Sequence, residues 1–331
     1  MSSRSVEEDQ TNANSRRASG EFVRGVSGFR HAIGEPDFPA EAGRYHLFVA
    51  LNCPWCHRVT LARAVLCLGA AITMDVAFPN RTGKGDPAGE GLWAFSPDRV
   101  ASLTGAPLQE CTAETGTGRG ERLAVDIYRA EGSDERSLPI LYDKVAGRIV
   151  SNESAEIVRM MSAASAALGG AGDLYPQALR REIDGLNERI YTHINNGAYK
   201  AGFSSDQAVY AAAFDAYFAA LDWLEDRLSD GRSFLTGHAF TEADLRLFPT
   251  LYRHDPVYYL RMKLNAARIL DYPHLWRWLC RVYALPGVAE AGSIIHCRQG
   301  YFGRSWNGTV PLGPRRPMGY PEAYTYPELA P

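Results

Sequence analysis

The hydrophobic pattern changes period along the chain and divides it before any motif is considered. Residues 45–51 (YHLFVAL) form an apolar, β-prone run that predicts a buried strand. Residues 59–68 are apolar at helical spacing and predict a helix that Gly69 stops. Residues 72–78 predict a second strand. From Pro79 to about Gly120 the periodicity fails: PNRTGKGDPAGEGLWAF and TAETGTGRG have loop composition around one short amphipathic piece. Loops of that length inside a compact domain are usually functional or disordered. The pattern then returns as a helix over 123–130, a strand over 138–143, a Val145-Ala146-Gly147 turn, a strand over 148–151, and a helix over 153–161 capped by Asn152.

Residues 163–172 are rich in Ala, Gly and Ser and predict a linker, after which the pattern is helical. Segments 175–194 and 206–228 carry apolar residues at three- and four-residue spacing, and 272–285 predicts a further helix. Phe240-Thr241-Glu242-Ala243-Asp244-Leu245 holds a Thr-x-x-Asp capping box, with Phe240 and Leu245 placed as a hydrophobic staple. The ending, 296–331, is rich in Gly, Pro and Tyr and predicts an irregular segment draped over the surface or a neighbouring subunit. At the other end, residues 1 to about 20 have little to bury and predict a disordered tail, and 22–43 predict an irregular arm lying on the body. The order βαβ, loop, α, ββ, α, then helices, predicts an α/β plus all-α protein. Its parts are a tail and arm over 1–43, a thioredoxin-like domain over 44–162 and an all-helical domain over 173–331. In that layout the proline before the third strand, Pro139, is expected in the cis form beside the reactive position.

Composition changes this picture little. A chain of 331 residues with 46% hydrophobic and 22% charged residues has room for two ordinary cores. A formal charge of -3, a pI near 6.3 and no Lys/Arg cluster leave no electrostatic footprint for nucleic acid or an anionic membrane. No apolar run approaches the roughly 20 residues of a membrane span, and the polar start has no signal-peptide core. Small-molecule partners and a cytoplasmic location are therefore expected. Cysteines 53, 56, 67, 111, 280 and 297 do not make a disulfide framework in so long a chain, so reduced thiols are expected.

The candidate chemistry lies where the first strand gives way to the first helix, at Asn52-Cys53-Pro54-Trp55-Cys56-His57-Arg58. Pro54 suits the first helical position, which makes Cys53 the N-cap and places Cys56 one turn inside. Unpaired N–H groups and the positive end of the helix dipole favour a Cys53 thiolate, below the reference pKa of about 8.5. Greater acidity raises the thiolate fraction, but nucleophilicity falls with a Brønsted slope of ~0.4 to 0.5 and takes most of that gain back. The larger gain is a thiolate that leaves well from a mixed disulfide. A helix beginning after Asn152 leaves N–H groups at Glu153 and Ser154 that could hold a carboxylate. Trp93 reads either as a loop anchor or as a ligand contact. Cys56 reads as a bystander or a resolving thiol, and His57 and Arg58 as structural helix residues. Cys-x-x-Cys-His has metal-ligand chemistry, but no second Cys or His pair of matching spacing follows, so no metal is expected.

Several segments, in order, match a known family: FRHAIG, FPAEAGRYHLFVALNCPWCHRV, SLPILYDKVAGRIVSNESAEIVRMM, INNGAYKAGF, FTEADLRLFPTLYRHDPVYY, DYPHLWRWL and NGTVPLGP. On these the chain resembles the glutathione transferases, and within them the glutathionyl-hydroquinone reductases of the Xi class. The resemblance implies a thioredoxin-like N-terminal domain and an all-helical transferase C-terminal domain. It implies glutathione as co-substrate, glutathionylated aromatic molecules as partners, and a homodimer joined through the helical domain. By residue, it implies Cys53 as the catalytic thiol, Glu153 and Ser154 on the γ-glutamyl carboxylate and amine, and Leu138, beside Pro139, on the cysteinyl unit. Trp93 resembles a glutathione-contacting tryptophan, and Tyr199 and Tyr301 resemble tyrosines facing the hydroquinone. Three positions depart from the family pattern. Position 56 is often alanine, segment 97–120 is longer and less regular, and the basic residue before the third strand has no clean match, Glu135 and Arg136 being the candidates. An omega-like thioltransferase or dehydroascorbate reductase would use the same thiolate, and a non-catalytic glutathione-binding protein is the alternative from another class.

Overall fold

A computed structural model describes residues 15–112, 117–303 and 309–313. The first part of the expected tail, part of the long loop and most of the ending beyond Phe302 lie outside the described residues. The chain opens with a ribbon, β1 (Ser15–Arg16) and β2 (Phe22–Val23), so the expected tail already holds structure before residue 20. Next come β3 (Tyr45–Val49), α1 (Pro54–Val65) and β4 (Ile72–Val76). The long loop carries a second ribbon, β5 (Val100–Ala101) and β6 (Ala106–Pro107). Then follow α2 (Ala124–Arg129), β7 (Ile140–Asp143), β8 (Arg148–Ser151) and α3 (Ser154–Ala164).

The main sheet has the order β4-β3-β7-β8, with β3 parallel to β4 and antiparallel to β7. All five residues of β3 are buried, which explains why its sequence does not alternate: a central strand covered on both faces is apolar throughout. The Leu138–Pro139 bond is cis, as expected. Helix α1 stops earlier than Gly69. Cys67 takes the left-handed conformation (φ 56°), its N–H reaches the Ala64 carbonyl at 2.9 Å, and the Leu68 N–H returns to Arg63 at 2.8 Å. That pair of bonds closes a helix end, with cysteine where glycine is usual. The cap of α3 also differs from expectation: Glu153, not Asn152, accepts the Ala155 N–H.

The rest is helical. Segment 175–194 is not one helix: a 3-10 turn (Gln177–Leu179) leads into α4 (Arg180–Arg189), a wide turn (Ile190–Asn195) and α5 (Asn196–Phe203). After them stand α6 (Gln207–Leu228), α7 (Glu242–Arg253), a second wide turn (His254–Tyr258), α8 (Tyr259–Arg261) and α9 (Pro273–Tyr283). Asp206 caps α6 through Ala208 and Val209, and the capping box of Thr241 and Asp244 opens α7. The ending corrects the sequence reading, because α10 (Ile294–Phe302) is a helix capped by Ser293, with His296, Cys297 and Gln299 buried. Its buried positions mix Cys297 with the polar His296 and Gln299, so the apolar period is broken. One hydrophobic core runs from the sheet into the helices, with α1 packed on both α3 and α7. No described helix is long and apolar enough to cross a membrane.

Candidate active site

The Cys-Pro turn lies at the mouth of a cleft of about 990 Å³ between the sheet layer and the helices. All eight residues singled out from sequence line it: Cys53, Trp93, Leu138, Pro139, Glu153, Ser154, Tyr199 and Tyr301. Residues as far apart along the chain as Cys53 and Tyr301 therefore meet in one place.

Cys53 is the N-cap of α1 and half-buried, with Pro54 at the first helical position; Cys56, one turn in, is fully buried. The Cys53 sulfur lies 3.8 Å from the Leu138 carbonyl oxygen. Its pKa falls to about 6. A hydrogen bond from the Cys56 thiol is the main cause; burial opposes it, and the N–H groups of Cys56 and Trp55 and the charge of Arg253 add to it. Burial and the neighbouring thiolate push Cys56 well up, so it stays a thiol that donates. His57, buried and held neutral by burial, accepts Arg253 Nη1–H at Nδ1, 2.8 Å. Arg253 itself is wholly buried and donates to the carbonyls of Leu51, Asn52 and Pro249, so a fixed cation sits beneath the thiol turn. Alkylation of Cys53 is expected to slow about tenfold per pH unit below pH 6 and to level off above it, measured with a neutral alkylating reagent. A midpoint near the ordinary ~8.5 would remove the thiolate from the account.

On the sheet side, Ala155 N–H goes to Glu153 Oε1 and those of Glu156 and Ile157 go to the Glu153 carbonyl. The Ser154 N–H lies at the positive end of α3, where an anion is favoured. Glu153 Oε2 also accepts from Ser27 Oγ at 3.2 Å. Asn152, expected as a cap, instead turns its amide into a buried cluster with Tyr128, Ser137 and Glu135. Of the two candidates for the missing basic residue, Glu135 is the one in the cleft. It is buried, accepts the Gly28 N–H at 3.1 Å, and has its pKa raised by burial. Trp93 is buried in the core, as a loop anchor would be, and also lines the cleft. Its indole N–H is buried without a partner, and Arg81 lies over its ring at 4.5 Å.

The opposite wall is aromatic. Tyr199 on α5 and Tyr301 on α10 bring their hydroxyls to 2.5 Å, and Tyr258, from the second wide turn, stands 3.3 Å from Tyr301 and 3.4 Å from Tyr199. Sequence reasoning missed Tyr258, which has no motif of its own. Burial raises the pKa of all three, so the cluster is a set of proton donors. Gln299 locks Tyr301 in place. It accepts from the Leu103 N–H at 3.0 Å, donates to Asn80 Oδ1 at 2.6 Å, and its carbonyl takes Asn80 Nδ2 at 2.8 Å. The long loop whose purpose the sequence left open therefore holds the helix that delivers a cleft tyrosine. Gly300 permits that approach, because a Cβ there would overlap the Asn52 amide and come within 2.9 Å of the Pro79 carbonyl.

The family model for the glutathione S-transferase C-terminal domain matches residues 207–281. The chain is 38% identical to glutathionyl-hydroquinone reductase PcpF of Sphingobium chlorophenolicum, over 90% of this chain and 91% of that protein. It is 40% identical to glutathionyl-hydroquinone reductase YqjG of Escherichia coli K-12, over 91% of this chain and 92% of that one. The glutathione-bound structure of YqjG superposes with a TM-score of 0.74 at 38% identity, over 92% and 93% of the two chains. The glutathione-S-transferase Xi of Phanerochaete chrysosporium gives 0.79 at 33% identity, over 91% and 95%. With a thioredoxin-like sheet, a helical transferase domain and relatives matching along almost its whole length, the chain belongs to the glutathionyl-hydroquinone reductases, the Xi class of the glutathione transferases.

Proposed function

We propose that this protein reduces glutathionyl-hydroquinones to hydroquinones, with glutathione as co-substrate, through a mixed disulfide at Cys53. The observation that carries this reading is an acidic, half-buried thiol placed between a polar helix end and a wall of protonated tyrosines. Glu153, Ser154, Leu138 and Trp93 hold the glutathionyl part, and the tyrosine wall faces the ring. The Cys53 thiolate attacks the thioether sulfur. An S–S bond forms and the C–S bond breaks, its electron pair going to the ring carbon, which takes up a proton; the sulfur is oxidised as the ring is reduced. Carbon leaves poorly without that proton, so Tyr199 and Tyr301 donate it or hold the ring hydroxyl, with Tyr258 behind them. A glutathione thiolate then attacks the glutathionyl sulfur, releases glutathione disulfide and returns the electron pair to Cys53. A low-pKa thiolate is a good leaving group in that second step. Cys56 takes no part in the redox exchange and serves as hydrogen-bond donor to Cys53.

Glutathionyl-hydroquinone, dehydroascorbate and a haloarene conjugation substrate offered side by side test this reading. Turnover is expected on the first, well above the other two. Preference for dehydroascorbate would indicate an omega-like reductase, and inactivity on all three a binding protein. The same reading takes residues 44–162 as the glutathione-binding unit and 173–331 as the helical unit, and makes the protein a homodimer joined through the latter. Light scattering checks the dimer, since a mass near 36.5 kDa would contradict it. Six free cysteines and a glutathione-dependent cycle support a reducing, cytoplasmic setting.

A further inference from the structure

Charge is spread unevenly over the cleft: one half mixes carboxylates with Arg30, which pairs with Glu156, and Arg81, which lies over Trp93. Those carboxylates, Glu135, Glu153 and Glu156, stand on the sheet side, before β7 and at the start of α3. Around the tyrosines the charged lining residues are all arginines: Arg24, Arg58, Arg246 and Arg261. Arg246 is neutralised by Glu242 at 2.5 Å. The other three make no ion pair with a described residue. Arg261 reaches the Tyr301 carbonyl from the rim, and Arg58 is buried with Asn195 Oδ1 at 2.6 Å as its partner. Arg24 donates Nε to Asn196 Oδ1 at 3.2 Å, while its buried Nη2 has no acceptor.

These cations are organised around one ring. The Arg24 and Arg58 guanidinium carbons lie 4.2 and 4.4 Å from the Trp55 ring centre, and Arg24 lies 4.9 Å from that of Tyr199. Cation–π contact accounts for part of this arrangement. It does not supply a counter-ion, and a desolvated guanidinium without one is costly. Burial first, and then the charge of Arg246, pull Arg58 down to about 9 against the opposing charge of Glu153, whereas Arg24 keeps a buried Nη2 with no acceptor. A neutral hydroquinone needs flat aromatic walls and a phenol to meet its hydroxyl, both already present in Trp55 and the tyrosines. It gives two unpaired guanidiniums nothing to bind.

We propose that the ring half of the cleft selects substrates whose ring bears a carboxylate, seated on Arg24 beside Trp55. The favoured substrate class is then acidic glutathionyl-hydroquinones. This rests on the hydroquinone reductase reading given above. A carboxylate fits the flat, two-pronged donor face of a guanidinium better than any neutral group. Glutathione itself brings carboxylates of the same chemistry, so the test separates the two sources.

The experiment measures kcat/KM for a neutral and a ring-carboxylated glutathionyl-hydroquinone, together with KM for glutathione, in the wild type, Arg24→Gln and Arg24→Lys. Wild type is expected to favour the carboxylated substrate by about tenfold or more, the size of one charge-assisted hydrogen bond. The ratio should fall to within about twofold in Arg24→Gln and recover partly in Arg24→Lys, which keeps the charge but not the fork. Equal kcat/KM for the two substrates in wild type overturns the proposal whether or not the variants fold. A raised KM for glutathione in Arg24→Gln, with the substrate ratio unchanged, overturns it too and assigns Arg24 to glutathione. Absence of turnover on both substrates would instead sink the reductase reading beneath it.

Discussion

Replacing Cys53 with serine is expected to cut turnover of glutathionyl-hydroquinone by at least ~10³-fold while leaving glutathione binding in place. An alcohol at a helix N-terminus stays protonated at neutral pH, and its oxygen cannot hold the glutathionyl sulfur as a disulfide. Binding should survive because the residues proposed to hold glutathione, Trp93, Leu138, Glu153 and Ser154, line the cleft independently of the sulfur. Calorimetric titration with glutathione and steady-state kinetics on the same preparation check both halves. The neighbouring thiol gives the contrast. Cys56→Ser retains a hydroxyl donor toward Cys53 and should stay within about threefold of wild type. Cys56→Ala removes the donor and should move the acid limb of the rate upward, because the Cys56 hydrogen bond is the main cause of the low Cys53 pKa. Loss of most activity in Cys56→Ser would mean that Cys56 resolves the intermediate, which contradicts a monothiol cycle.

Asp244→Ala is expected to be the most damaging single change away from the cleft. Asp244 is fully buried and its two oxygens collect four donors. Oδ1 accepts the Leu235 N–H and the Trp278 indole N–H, both at 2.8 Å; Oδ2 accepts the Thr241 N–H at 3.1 Å and the Thr241 hydroxyl at 3.3 Å. One side chain thus ties the start of α7 to the preceding loop and to α9. Alanine would leave those donors buried and unmet, at roughly 1–3 kcal/mol each, and would leave a small cavity. With partial relaxation, a loss of about 4 kcal/mol is expected in chemical denaturation. Asp244→Asn keeps one acceptor oxygen and should fall between. A loss below about 1 kcal/mol for the alanine variant would show that the capping box is dispensable.

Much of this was legible in the chain because short-range chemistry set it. Pro54 after Cys53 announces a helix start, Thr241 and Asp244 announce another, and the unbroken YHLFVAL run announces a central strand. What escaped depends on partners far along the chain. Asn152 looked like a cap, but a buried carboxylate at Glu135 and the hydroxyls of Tyr128 and Ser137 draw its amide away. Residues 294–302 gave no helical period because Gln299 and Gly300 face polar groups of Asn80 and Asn52 rather than an apolar core. Tyr258 and Arg253 are set beneath the site by α7 and the wide turn after it, and nothing in their local sequence points toward a thiol two hundred residues earlier. The eight candidate residues that line the cleft were singled out through resemblance and helix-end physics together. The cations at Arg24 and Arg58, whose sequence context is ordinary, needed the fold.

The most direct measurement is a single-turnover trap. Enzyme mixed with one equivalent of glutathionyl-hydroquinone, with no free glutathione present, is examined by intact and peptide mass spectrometry while the released aromatic is quantified. The expected result is one glutathionyl group on Cys53, an equal amount of free hydroquinone, and loss of the adduct with appearance of glutathione disulfide when glutathione is added. An aromatic adduct on the protein, a glutathionyl group on Cys56, or hydroquinone release only after glutathione is added would contradict the Cys53 mixed-disulfide cycle.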